Sequence, residues 1–307
     1  MSSLLEIKDL SVSYDAVKAL DKFNFAFNSG SICAFIGSNG AGKTTTFSAI
    51  ANFIYPDSGE IMIEDKPLKE FRKQGGLIGL LPQGISFYEN RTINSQLVFL
   101  ARLSGLTKKQ ALGEVAWALS TVGLEDKKDL YPQVLSHGMK ARLGIAQAIL
   151  GRPKLVLLDE PTAGLDPLRR EQFYELIDSL KGKMSFIISS HQLGELEKLC
   201  DYICMIEKGK LKVAKPMKDF LTSSLKIDYE IEKQEMIKEK ILREFPDLKI
   251  IFDKTESMFS VEVGKNSLKD INVKILSWLL TQNIDVLKVS QQASLNDQYL
   301  EQLVERK

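Results

Sequence analysis

No run of apolar residues in this chain of 307 approaches the roughly 18 that a membrane-spanning helix needs. The densest runs, Ile32–Ile36 and Leu155–Leu158, have the length of strands, so the chain is not expected to cross a membrane by itself. Nor does it open like a secretory leader, because Glu6 and Asp9 stand where such a segment carries a basic and then an apolar stretch. Cysteine is scarce. The three present, Cys33, Cys200 and Cys204, are odd in number and sit within apolar stretches, which speaks against a disulfide framework and for a reducing compartment. Cys200 and Cys204 lie four apart near His191, but Asp201 interrupts the pattern, and small buried hydrophobes are the simpler reading. Surplus charge is also missing: 41 Lys and Arg against 40 Asp and Glu leave a net charge of +1. That balance supplies no bulk pull toward nucleic acid or anionic lipid, and no nucleic-acid partner is expected. Repeats and low-complexity segments are absent. With 44% hydrophobic residues the chain can bury one large core or two smaller ones.

What is present begins with Gly37-Ser38-Asn39-Gly40-Ala41-Gly42-Lys43-Thr44, which fits the phosphate-binding pattern G-x-x-x-x-G-K-[ST] without mismatch. It follows the apolar run Ile32–Ile36 and precedes a plausible helix, with Thr45 as the next residue in the first turn. Glycines at these positions let successive backbone N–H groups turn inward around phosphate oxygens. Lys43 is expected to reach the terminal phosphates and Thr44 to ligate Mg²⁺, while the positive helix N-terminus faces the same anion. The pattern points to a nucleoside triphosphate.

The first thirty residues alternate as strands do, with Leu5, Ile7, Leu10, Val12 and Tyr14, then Phe23, Phe25 and Phe27, so an antiparallel β layer opens the chain. Further strands are expected at 31–36, 59–63, 77–81, 155–159, 184–189 and 202–207, alternating with helices in an α/β core. Residues from about 91 to 151 read as helices only, an inserted helical subdomain. Thr107 and Gln110 form a capping box there, Gly123 stops that helix, and another runs from Ser136 to Gly151. After Lys218 the order becomes strand 225–231, helix 234–244, strands 248–254 and 258–263, helix 267–282, strand 284–289 and helix 295–304. Its βαββαβ core is that of a ferredoxin-like split βαβ unit. The expected domains are 1–218 and 219–307, the second a small α+β accessory domain.

Leu155-Val156-Leu157-Leu158-Asp159-Glu160 is an apolar run ending in two carboxylates, which suits a buried strand delivering acids at its carboxyl end beside the phosphate loop. Asp159 is the expected Mg²⁺ partner, and Glu160 is placed to polarise the water that attacks the γ-phosphate.

At this point residues 1 to about 215 resemble the ATP-binding cassette (ABC) ATPases, a P-loop NTPase family. Tyr14 matches the aromatic that stacks on adenine, Gln83 in Leu81-Pro82-Gln83 the glutamine at the junction with the helical subdomain, and His191 the switch histidine. Leu135-Ser136-His137-Gly138-Met139 occupies the place of the signature, and Ala163-Gly164-Leu165-Asp166 the loop after the acidic strand. The resemblance implies that Gln83 bonds water or the Mg²⁺ shell and that His191 senses the γ-phosphate. It also implies that Ser136 and Gly138 contact the ATP held by an opposing copy, so that two sites form across a head-to-tail dimer. Core packing for Tyr14, a turn role for Gln83, a structural role for His191 and simple capping by Ser136 are the competing readings.

The signature departs from Leu-Ser-Gly-Gly-Gln: His137 stands for the first glycine and Met139 for the glutamine, and His137 is expected to make closure pH-sensitive. The implied role is an ATP- and Mg²⁺-dependent ATPase subunit of a transporter with separate integral membrane subunits. It would sit in the cytoplasm on the inner face of the membrane. Gly164–Pro167, the altered signature and the C-terminal extension look most like bacterial exporters of drugs, lipids or polysaccharides. A soluble ATPase of translation or DNA repair and a weakly hydrolysing regulatory cassette are the alternatives. The C-terminal unit is expected to stabilise the dimer or contact the membrane subunit.

Overall fold

A computed structural model describes residues 3–73, 76–191, 193–221, 225–232, 237–253, 257–263 and 268–293. The chain forms two compact units, Met1–Lys215 and Pro216–Lys307. Among the described residues, no helix is long and apolar enough to cross a membrane.

In the first unit β1 (Ser3–Tyr14) and β2 (Val17–Asn28) form a long hairpin, followed by β3 (Ile32–Ile36), α1 (Lys43–Ile50), β4 (Ser58–Ile63) and β5 (Lys66–Pro67). Then come β6 (Ile78–Leu81), the helices α2 (Ile93–Leu103), α3 (Lys108–Thr121) and α4 (His137–Ala148), and β7 (Leu155–Asp159). The unit closes with α5 (Pro167–Leu180), β8 (Ser185–Ser190), β9 (Tyr202–Glu207) and β10 (Lys210–Pro216).

One sheet has the order β2-β1-β4-β5, antiparallel throughout. The other has the order β10-β9-β3-β8-β7-β6 and is parallel from β9 to β6. Every residue of β3, β7 and β8 is buried, which is why these strands read as continuous apolar runs rather than alternating ones. An aromatic cluster ties the layers together: Phe35 of β3 lies 5.6 Å from Phe47 of α1 and 6.0 Å, edge-on, from Phe23 of β2. Each such ring contributes about 1.5–3 kcal/mol by leaving water, and the cluster anchors the start of α1 over the end of β3.

The helical segment is built from local signals. The Thr92 hydroxyl accepts from Ser95 N–H, Thr107 and Gln110 form the reciprocal capping box, and the Ser136 hydroxyl accepts from Met139 N–H. Its attachment to the sheet is not local. A Cβ on Gly79 of β6 would lie 1.9 Å from the Ala148 carbonyl oxygen at the end of α4, and one on Gly144 would lie 2.7 Å from Leu81 Cδ1. The helix therefore rests on the strand with backbone against backbone.

The second unit contains α6 (Met217–Leu221), β11 (Leu225–Ile231), α7 (Ile237–Glu244), β12 (Lys249–Phe252), β13 (Met258–Val263), α8 (Leu268–Thr281) and β14 (Val286–Ala293). Its antiparallel sheet has the order β12-β13-β11-β14, the arrangement of a split βαβ unit. Tyr229 and Phe259 stack at 4.9 Å in a core that includes Ile241 and Leu279, and the Tyr229 hydroxyl donates to Asn272 Oδ1 at 2.8 Å.

The last strand starts later than its apolar residues suggest. Asn283 takes φ 54° and Ile284 N–H bonds to the Leu279 carbonyl at 3.0 Å, so Ile284 closes the end of α8 instead of opening β14. The expected helix at 295–304 lies outside the described residues. α6, β5 and β10 were not expected from the sequence.

Gly79→Ala places a methyl group on the Ala148 carbonyl. It is expected to destabilise the protein by about 1–3 kcal/mol or more, seen as a lower urea midpoint; an unchanged midpoint would show that α4 can retreat from β6.

Candidate functional site

The carboxyl ends of β3, β7 and β8 lie side by side, since β8 pairs with both of the others. Ligands of open α/β sheets gather at such an edge. The loop 37–42 leaves β3 there and turns into α1. Gly37 N–H bonds to the Ser190 carbonyl at 3.4 Å, which pins the start of the loop to the end of β8. At the other end Gly42 takes φ 111°, and a Cβ there would meet the Ala19 carbonyl at 2.8 Å, so only glycine fits. The Ala41 carbonyl accepts from Gly209 N–H at 2.9 Å. Ser38, Asn39 and Gly40 form the outer bend, where Ser38 carbonyl accepts from Ala41 N–H at 3.1 Å, and Thr45 follows Thr44 in the first turn of α1.

Lys43 and Thr44 open α1 beneath this loop. The Lys43 ammonium, 6% exposed, donates to the carbonyls of Gly37 at 2.8 Å and Ser38 at 3.3 Å, and lies 3.3 Å from Glu160 Oε1. The Thr44 hydroxyl donates to Asp159 Oδ2 at 2.8 Å. Asp159, 3% exposed, receives a further hydrogen bond at Oδ1 from the Ser189 hydroxyl, 2.6 Å away. Glu160 leaves the strand with φ 46°, a conformation that is uncommon for a residue with a side chain. Its Oε1 then meets both the Lys43 ammonium and His191 Nδ1, the latter at 3.5 Å. Loop, lysine, threonine, both acids and the histidine are thus brought together.

Four of the other candidates lie apart from this cluster. Tyr14 is half-exposed at the tip of the β1–β2 hairpin, the hairpin whose Ala19 abuts Gly42. Gln83 is exposed two residues beyond β6, and among the described residues it bonds to neither acid. Ser136 caps α4 at an exposed position and does not bond to the loop of its own chain. Gly138, half-buried, lies under Arg169, whose Cδ would be 3.0 Å from a Cβ there. His137 points to the loop after the acids, with Nε2 3.4 Å from the Ala163 carbonyl oxygen.

That loop is itself held from two sides. Asp166 caps α5 by accepting from Arg169 N–H at 3.0 Å. Arg170 donates to the Leu165 carbonyl at 3.2 Å and pairs with Glu195, which follows His191 by four residues. Tyr174 completes the brace, donating to Glu195 at 3.3 Å beside Thr162, and burial pushes its hydroxyl up to about 12. Ser189 and the Arg170–Glu195 pair escape the sequence reading. Two adjacent serines closing a buried strand, beside an acidic strand end, are the signal that marks the first.

The ABC transporter family model matches residues 20–163. The ABC transporter ATP-binding protein YxlF of Bacillus subtilis (strain 168) is 33% identical over 300 residues, 97% of this chain and 98% of that protein. The bacitracin transport ATP-binding protein BcrA of Bacillus licheniformis is 40% identical over 217 residues, 69% of each chain. Among solved structures, the ATP binding subunit of an ABC transporter superposes with a TM-score of 0.62 at 32% identity, covering 71% of this chain and 91% of that one. A phosphate loop, two acids and a histidine drawn to one sheet edge, in a chain matched nearly end to end by such a relative, mark it as a member of the ABC family: it is an ATP-binding subunit that couples ATP hydrolysis to membrane transport.

Proposed function

We propose that ATP lies along the loop 37–42 with its terminal phosphates at Lys43 and its base against Tyr14, and that Mg²⁺ is held by Thr44 and Asp159 with Gln83 at its rim. The observation that carries this reading is the junction of Thr44 with Asp159 at 2.8 Å and of Glu160 with both Lys43 and His191. Thr44 and Asp159 offer oxygen donors only, which suits a hard divalent cation that keeps several waters and shares its shell with phosphate. When bound, Mg²⁺ supplies charge neutralisation at the phosphates.

The chain's own residues supply the rest. Lys43 contributes positive charge at the terminal phosphates. Glu160 orients and deprotonates the attacking water, and His191, which contacts the same carboxylate oxygen as Lys43, senses the γ-phosphate. Ser136 and Gly138, exposed or half-buried at the start of α4 and not bonded to their own loop, act on the ATP of a second copy, where the helix N-terminus faces the γ-phosphate. The two ATP sites are therefore shared across a head-to-tail dimer, and binding and hydrolysis alternate between closed and open pairs.

The subunit works at the cytoplasmic face of the inner membrane with separately encoded membrane proteins, and the direction is export. The Gly164–Pro167 sequence, the Ser-His-Gly-Met signature and the second unit favour a drug, lipid or polysaccharide as cargo, and the relative named for bacitracin transport favours the first of these. The second unit serves to stabilise the dimer or to contact the membrane subunit.

Glu160→Gln is expected to retain ATP binding, lose turnover by about a hundredfold or more and accumulate as an ATP-bound dimer in size-exclusion chromatography with light scattering. Lys43→Ala is expected to weaken ATP binding itself. Parental turnover in Glu160→Gln would remove that residue from its role. Purification of the tagged protein from its host in mild detergent, followed by mass spectrometry, should recover a stoichiometric polytopic membrane protein. Recovery of ribosomal or DNA-repair partners alone would overturn the transport assignment.

A further inference from the structure

Ser189 is the one member of the buried junction to which the reading above gives no role. It lies directly across from Asp159 in the parallel pairing of β7 and β8 and is 1% exposed. Its hydroxyl donates to Asp159 Oδ1 at 2.6 Å and accepts from Glu160 N–H at 2.8 Å. A hydroxyl has one proton and two lone pairs, and a backbone N–H can only donate, so the serine proton is directed to the carboxylate. Since Asp159 Oδ2 accepts from Thr44, one unbroken chain of hydrogen bonds runs from α1 through Asp159 and Ser189 to the backbone of Glu160.

We propose that Ser189 is a positioning residue for ATP hydrolysis: its hydroxyl sets the rotation of the Asp159 carboxylate against Thr44 and holds Glu160 in the left-handed backbone conformation that delivers its carboxylate to Lys43 and His191. The inference rests on the roles proposed above for Asp159 and Glu160. At Glu160 the backbone has left the strand with φ 46°, and such a conformation persists only where surrounding contacts enforce it. The bond from its N–H to Ser189 is such a contact. At Asp159, removal of the hydroxyl leaves one oxygen of a buried carboxylate without its donor. The carboxylate then rotates to find another, away from the direction set by Thr44. Lys43 loses at most its contact with Glu160 and keeps its bonds to the carbonyls of Gly37 and Ser38, which hold the ammonium under the loop, so phosphate binding without a cation is expected to be retained.

Ser189→Ala and Ser189→Thr in the full-length protein separate these effects. For Ser189→Ala, kcat is expected to fall about ten- to a hundredfold, as when a residue orienting a metal ligand is lost. The Mg²⁺ concentration giving half-maximal binding of a fluorescent ATP analogue should rise several-fold, while binding of the same analogue in EDTA stays at the parental value. Ser189→Thr, which keeps the hydroxyl, should restore both readouts. If Ser189→Ala does not fold, Ser189→Cys keeps the volume with a weaker donor and carries the same test.

Parental kcat and an unshifted Mg²⁺ titration overturn the inference. So does an equal loss of binding with Mg²⁺ and in EDTA, which marks general damage, and so does a Thr variant as impaired as Ala. Glu160→Gln, assayed alongside, keeps the two proposals distinct. If it is inert while Ser189→Ala is active, only the Ser189 inference fails; if it turns over normally, the assignment of the site itself has failed.

Discussion

A carboxylate that is 3% exposed must be satisfied by the protein, and Asp159 has a hydroxyl on each oxygen. Those hydroxyls come from different elements, Thr44 from α1 and Ser189 from β8, so the burial of one charge dictates how three parts of the fold meet. A slip of one residue between β7 and β8 would turn Ser189 to the opposite face of the sheet and leave Asp159 without its second donor. The cost of stranding such a group, about 1–3 kcal/mol and more when charged, makes the register of this edge part of the stability of the core.

The same strand end also governs the phosphate loop. The Ser190 carbonyl receives Gly37 N–H, Ser189 reaches both acids, and His191 emerges next to Glu160. Three consecutive residues of β8 and its exit thereby touch the phosphate loop and both acids. Around the loop, the close approach of Ala19 to Gly42 fixes the other boundary. The result is a loop whose backbone is held from both ends before any ligand contributes.

Much of this was legible in the sequence because its signals are local. The spacing of glycines and Lys43, the acids at the end of an apolar strand, and the capping residues Thr107, Gln110 and Ser136 each act within a few residues of themselves, and the structure places helices and strands accordingly. What escaped depends on partners distant in the chain. Ser189 is an ordinary polar residue until strand pairing sets it opposite Asp159. Gly79 looks like a weak spot in a strand until α4 is seen resting on it, and Ile284 looks like strand until Asn283 turns left-handed at the end of α8. Composition could not reveal the Arg170–Glu195 pair either, since each partner is one of many charges in a balanced chain.

The seat of α4 on β6 has a geometric corollary. Contact at Gly79 lies against the carboxyl end of the helix, whereas Ser136 precedes its amino end, the two being separated by a rigid rod of about 18 Å at 1.5 Å per residue. A rotation of about ten degrees around that fulcrum sweeps the amino end through roughly 3 Å, the span of one hydrogen bond. On the proposed contact of Ser136 with a second copy, the helix would act as a lever with its pivot at a glycine and its tip at a serine, and small adjustments at the sheet would be magnified at that contact.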